Sequence, residues 1–211
     1  MNKETRYLDS KEFRAVEDGD ARYLEGYAAV FNSRSELLGN FVEVIEPGAF
    51  ADVLENDAVA LLNHDANYPL ARVSNGTLTM QQDDVGLKVR FKLPDTSYAR
   101  DIWTNVRDGL LKQMSFAFEV GKDSWSKLQD GTALRTIKTV KRLYDVSPVT
   151  YPAYPETSIQ ARSMADEVQN WTKDETDAPK SVDDTNSKAE LPTQEAERQR
   201  VLKLISRGQT K

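Results

Sequence analysis

From Tyr23 to Tyr151, apolar residues recur with a period of two in short runs separated by turn residues, a rhythm that commits the chain to a mainly β fold. Tyr23 to Phe31, Phe41 to Ile45 and Val59 to Asn63 are the first strand candidates. Thr77 to Gln81 and Leu87 to Leu93 flank the turn-rich stretch Asp83-Asp84-Val85-Gly86. The alternation of Leu87, Val89, Phe91 and Leu93 places these apolar side chains on one face, so a β-hairpin is expected here. Met114 to Val120, Leu134 to Val140 and Leu143 to Tyr151 complete a set of about eight strands, the number that closes a small barrel.

Helices interrupt this pattern at two places. A short one is expected over Ala49 to Glu55, after Pro47-Gly48. A longer one, capped by Asp95 or Thr96, should run through Leu110, with Ala99, Ile102, Trp103, Val106 and Leu110 as its apolar stripe. Of the Phe, Tyr and Trp residues only Trp171 lies beyond position 162, so core-forming material is confined to residues 1–162. Residues 163–193 are polar and acidic and carry too little apolar area to offset the entropy of ordering, which predicts a flexible linker. Over residues 194–211 helical spacing returns, with Val201, Leu204 and Ile205 on one side and Gly208 as a stop.

Composition narrows the chemistry. A net charge of −6 and no strong basic stripe argue against a nucleic-acid binder. Lys138, Lys141 and Arg142 do cluster, and read as a solvated strand face. The chain has no cysteine, which excludes disulfides, thiolate nucleophiles and cysteine-based zinc sites. Met1 to Arg6 lead into no apolar signal segment, and no stretch approaches the roughly 18 apolar residues of a membrane span, so action in the cytoplasm is expected. There is no Gly-x-Ser-x-Gly, HExxH or Walker A motif, and neither a metal nor a cofactor is expected.

Only one histidine is present, His64, at the end of the apolar run Leu61-Leu62-Asn63. A lone histidine is more often structural than catalytic. In Met114-Ser115-Phe116-Ala117-Phe118, period-two geometry sends Met114, Phe116 and Phe118 to one face and Ser115 to the other. Pattern alone again favours a hydroxyl satisfied within a sheet. If Ser115 is a nucleophile, however, it needs a base, and His64 is the only imidazole available. An acid to orient that imidazole is sought in Asp145, on a strand near the core, with Asp65 as the second candidate.

A series of landmarks in fixed order adds to this: Gly26-Tyr27-Ala28-Ala29-Val30-Phe31-Asn32, Ile45-Glu46-Pro47-Gly48-Ala49-Phe50, His64-Asp65 with Pro69-Leu70-Ala71-Arg72, and Asn75-Gly76-Thr77-Leu78. Asp84-Val85-Gly86-Leu87, Leu93-Pro94-Asp95-Thr96, Met114-Ser115-Phe116 and Asp145-Val146-Ser147-Pro148-Val149-Thr150-Tyr151-Pro152-Ala153 follow. Over about residues 23–162 the chain closely resembles the prohead proteases of tailed bacteriophages, relatives of the herpesvirus assemblins.

The resemblance implies a small closed β-barrel surrounded by helices over residues 1–162, and a serine endopeptidase packaged inside the immature capsid in the host cytoplasm. Its substrates would be scaffold or the scaffolding segment of the major capsid protein, and also itself. The family's histidine falls on His64 and its serine on Ser115. The herpesvirus relatives use a second histidine as third member, which this chain lacks, so Asp145 is the substitute. Ala71 and Ala117 stand where glycine is more usual. Oxyanion donors are sought in the loop Tyr151 to Glu156. Residues 163–211 are read either as a targeting segment removed by self-cleavage or as an ordinary tail, and a homodimer or higher oligomer follows only by analogy with the herpesvirus enzymes. The alternative from another class is a non-enzymatic capsid-assembly factor that keeps the fold and binds scaffold.

Overall fold

The structure, a computed structural model, describes residues 3–8 and 12–151. The linker and C-terminal helix expected over 163–193 and 194–211, and the loop Tyr151 to Glu156 apart from Tyr151, lie outside the described residues.

Ten strands are present among the described residues: β1 (Glu4–Leu8), β2 (Arg14–Asp18), β3 (Ala21–Val30), β4 (Phe41–Ile45), β5 (Val59–Leu62), β6 (Asp65–Arg72), β7 (Leu78–Gln82), β8 (Gly86–Lys92), β9 (Gln113–Lys127) and β10 (Ala133–Val149). They form two sheets. One has the order β1-β9-β10-β5-β6 with β4 also paired to β10, and the other the order β2-β3-β8-β7.

The closed barrel surrounded by helices is therefore corrected to two separate sheets. The cause is the length of β10. It pairs antiparallel with β9 along its whole run, and on its other side accepts β4 in parallel over Ala133–Ile137 and β5 in parallel at Asp145 and Val146. Strands thus share one long central strand instead of succeeding one another around a ring. The break expected between Val140 and Leu143 falls inside β10, at Lys141-Arg142, where the ladder is interrupted by register shifts and both side chains are exposed. A bulge breaks the alternation without ending the strand.

Helical structure is sparse among the described residues. The segment expected as a helix over Ala49 to Glu55 is a single 3₁₀ turn, Ala51–Val53. The longer helix, α1, spans Ser97–Arg107, and the Thr96 hydroxyl accepts from the Ala99 amide as its N-cap. Ala99, Ile102, Trp103 and Val106 are buried as the stripe requires, but Leu110 lies past the helix end and is 71% exposed.

One apolar core draws on both sheets. Leu24, Leu87, Val89 and Phe91 enter it from the four-stranded sheet, and Met114, Phe116, Phe118, Ile137 and Val146 from the six-stranded one. Phe116 packs against Phe118 at 4.8 Å between ring centroids and edge-on against Phe50 at 5.8 Å. These contacts fix the face of β9 opposite Ser115, so the backbone that carries Ser115 is held by fully buried anchors. At Gly86, the hairpin residue that opens β8, a Cβ would lie 2.0 Å from the Ala29 carbonyl, so only glycine lets β3 and β8 close there.

Candidate active site

β5 and β6 form a tight hairpin, in which Leu62 pairs with Asp65 and only Asn63 and His64 make the turn. Both turn residues have positive φ, 52° and 59°, as a type I′ turn demands. Neither is glycine, so holding both left-handed costs free energy that surrounding contacts must offset. Asn63 supplies those contacts. Its amide donates to the Pro148 carbonyl (3.0 Å), its Oδ1 accepts from the Thr150 amide (2.9 Å), and its Nδ2 reaches Thr150 Oγ1 (3.4 Å). The hairpin tip is thereby tied to the end of β10, and His64 is carried towards the face of β9 and β10 that bears short polar side chains.

That face follows from register. Ser115 lies directly opposite Ser147, and Ala117 opposite Asp145, so Ser115, Ser147 and Asp145 occupy neighbouring positions across the β9–β10 ladder. His64 Nδ1 lies 2.5 Å from Asp145 Oδ1, and its Nε2 lies 2.6 Å from Ser115 Oγ. The residues singled out in the sequence, His64, Ser115 and Asp145, are thus brought into one chain of contacts. Asp65, the second candidate acid, is not part of it: its Oδ1 accepts from the amide and the side chain of Asn67.

Asp145 is 3% exposed, and burial by itself pushes its carboxyl up. The hydrogen bond from His64 and its charge, the Ser147 hydroxyl and the Lys3 ammonium outweigh that, and the carboxyl is held below its ordinary range. It is therefore an ionised acceptor at neutral pH. A carboxylate cannot donate, so the bridging proton belongs to Nδ1, and in the neutral imidazole Nε2 is left as an acceptor facing Ser115. This is the tautomer a general base requires.

Three participants went unassigned in the sequence. Ser147, fully buried, donates to Asp145 Oδ1 at 2.8 Å. The only signal was its position two residues beyond Asp145, on the same strand face. Lys3 Nζ lies 3.3 Å from Asp145 Oδ2, and the Arg6 carbonyl lies 2.8 Å from Ser115 Oγ. Both belong to an N-terminal segment whose sequence lacks the apolar alternation that marks most of the other strands. Among the described residues no group of three or more His, Asp or Glu side chains is placed to hold a metal ion. No helix among them is long and apolar enough to cross a membrane.

Comparisons with known proteins bear on this arrangement. The family model described as caudovirus prohead serine protease matches residues 9–173. The prohead protease of Enterobacteria phage HK97 is 31% identical over 188 residues, covering 84% of this chain and 79% of that protein. The solved structure of the bacteriophage T4 capsid assembly protease, gp21, aligns with a TM-score of 0.45 at 11% identity, over 70% of this chain and 96% of the other. With a family match across most of its length, the chain belongs to the caudovirus prohead serine proteases, serine peptidases that act in maturation of the phage prohead.

Proposed function

We propose that His64, Ser115 and Asp145 form the catalytic triad of this peptidase. The observation that carries the proposal is the position of the His64 ring, with one nitrogen 2.5 Å from a buried carboxylate and the other 2.6 Å from the Ser115 hydroxyl. In acyl transfer, Ser115 Oγ attacks the scissile carbonyl carbon while its proton passes to His64 Nε2. The resulting imidazolium is stabilised by Asp145, and the proton then moves to the leaving amine as the peptide C–N bond breaks. Water, deprotonated by the same nitrogen, hydrolyses the ester and restores Ser115. Ser147 keeps the Asp145 carboxylate turned towards the imidazole. Main-chain amides would supply the oxyanion donors, and residues 151–156, following β10, are the stretch to search.

The substrates are capsid proteins inside the prohead: scaffold or the scaffolding segment of the major capsid protein, and this chain itself. Support comes from family membership and from the name of the HK97 relative. On this reading residues 1–162 form the protease domain, and residues 163–211 are a segment that the enzyme removes. The test is co-expression with capsid protein and scaffold in a bacterial host. Wild type should process the capsid protein, and Ser115→Ala and His64→Ala should leave it full-length. Processing by either variant, or none by wild type, overturns the proposal.

A further inference from the structure

The segment Lys3–Leu8 touches both ends of the proposed triad. Arg6 presents its carbonyl oxygen 2.8 Å from the Ser115 hydroxyl, and Lys3 presents its ammonium 3.3 Å from the far oxygen of Asp145. β1 runs antiparallel to β9 in direct register with the nucleophile, Tyr7 opposite Ser115 and Arg6 opposite Phe116. We infer that β1 is a restraint on the nucleophile, an N-terminal strand whose departure from β9 raises the reactivity of Ser115. The inference rests on the triad proposed above.

The chemistry of each contact points the same way. The Ser115 hydroxyl has one proton and two acceptors within reach, His64 Nε2 at 2.6 Å and the Arg6 carbonyl at 2.8 Å. While the proton points to the carbonyl, the imidazole cannot take it, and Oγ is not activated. A peptide carbonyl already stands 2.8 Å from the nucleophile, inside the distance of about 3–3.5 Å from Oγ that the attacked carbon of a substrate must reach. Lys3, for its part, places a positive charge on the carboxylate that must stabilise a positive imidazolium. Ser115 itself is 3% exposed.

β1 is also the element best placed to leave. Among the described residues it is an edge strand paired with β9 alone, so its removal breaks a single ladder there. The family model begins at residue 9, just beyond it. What holds it is a cluster of ion pairs. Arg6 grips Glu43 through Nε (2.8 Å) and Nη2 (2.9 Å), and Nη2 also reaches Glu4 (2.6 Å). Arg135 binds Glu4 through Nη1 (2.7 Å) and Nη2 (3.1 Å). Those pairs set how firmly the restraint is applied, since an uncompensated charge left in such a site is costly.

The decisive measurement is the rate at which a fluorophosphonate probe labels Ser115, followed by intact mass, with Ser115→Ala as the blank. A chain beginning at residue 9 should be labelled about tenfold faster or more than wild type, which corresponds to at least ~1.4 kcal/mol in the barrier. A synthetic peptide covering residues 1–8, added back, should slow it again. Equal or slower labelling of the folded, shortened chain overturns the inference. If the shortened chain does not fold, Arg6→Ala decides, because it loosens the strand without removing it: faster labelling supports the restraint, and unchanged or slower labelling sinks it. Absence of labelling at Ser115 in every form would instead refute the triad, so the two failures are distinguishable.

Discussion

The two sheets share one apolar core but differ in what else they bury. In the six-stranded sheet, Glu4, Glu43, Ser115, Arg135, Asp145 and Ser147 are all nearly or fully inaccessible. Among the described residues the four-stranded sheet buries no charged side chain; its contribution is apolar, from Leu24, Leu78, Leu87, Val89 and Phe91, apart from the tips of Tyr27 and Gln82. Buried charged and hydroxyl groups are tolerated only when partnered, and each of those in the six-stranded sheet has partners. One sheet therefore provides scaffold, while the other maintains a polar layer whose geometry the chemistry uses. Substitutions in the two should separate stability from activity.

The largest effect should come from Ser115→Ala. Loss of the nucleophile is expected to lower peptidase turnover by a factor on the order of 10⁴ to 10⁶. Stability should move by only about 1 kcal/mol, the net worth of a hydrogen-bonded hydroxyl. Turnover of a capsid-derived peptide and a urea midpoint measure the two. Phe91→Ala is the counterpart in the other sheet. Phe91 is fully buried on β8 and packs against Phe13 at 6.2 Å, so truncation should cost about 3–5 kcal/mol in the urea titration. Under conditions where the variant stays folded, its turnover should match wild type. If instead the folded Phe91→Ala enzyme loses most of its turnover, the division of labour between the sheets is wrong.

A smaller effect isolates the hairpin that carries the base. Asn63→Gly keeps the left-handed backbone but removes the side-chain ties to Thr150, whereas Asn63→Ala removes the ties and adds backbone strain. Turnover should fall for both, by about tenfold to a hundredfold for alanine and less for glycine, since displacements of about 1 Å carry costs of that order. Equal losses would mean that the ties, not the turn conformation, position His64.

What could be read in advance follows the same division. The alternation in Leu87, Val89 and Phe91 and the turn before it give the β7–β8 hairpin to within a residue, because these two strands bury apolar side chains at alternate positions. His64 stands out because it is the single histidine, whereas Ser115 and Asp145 stand out only through the order of the motifs. Less was legible where polar residues are buried. β1 (Glu-Thr-Arg-Tyr-Leu) looks like a solvated terminus, since Glu4 and Arg6 hide their charges in one another and in Glu43 and Arg135, partners far away in sequence. β6 reads as a loop because of Pro69 and its exposed residues, and Asn63-His64 lacks the glycine that marks an ordinary I′ turn. The single closed barrel failed for a related reason: a strand count does not reveal that β4 and β5 both lie against β10.

The smallest prediction tests the polar layer by its protons. Asp145 has a lower pKa in the fold than its ordinary value of about 3.9. Between the two values the unfolded chain binds more protons than the folded one, so stability rises with pH across that window and is lost as pH falls through the folded pKa. Asp145→Asn cannot titrate. The difference in thermal midpoint between wild type and this variant should therefore grow as pH rises through the carboxylate range and level off above about pH 5. Ser147→Ala removes one of the groups that lower the pKa, and should raise the lower edge of the window, narrowing it and reducing the plateau. No comparable pH dependence is expected from Phe91→Ala, which changes only apolar burial. Parallel curves for wild type and Asp145→Asn would mean that the carboxylate is no better accommodated in the fold than in water, and that its pairing with His64 contributes to catalysis alone.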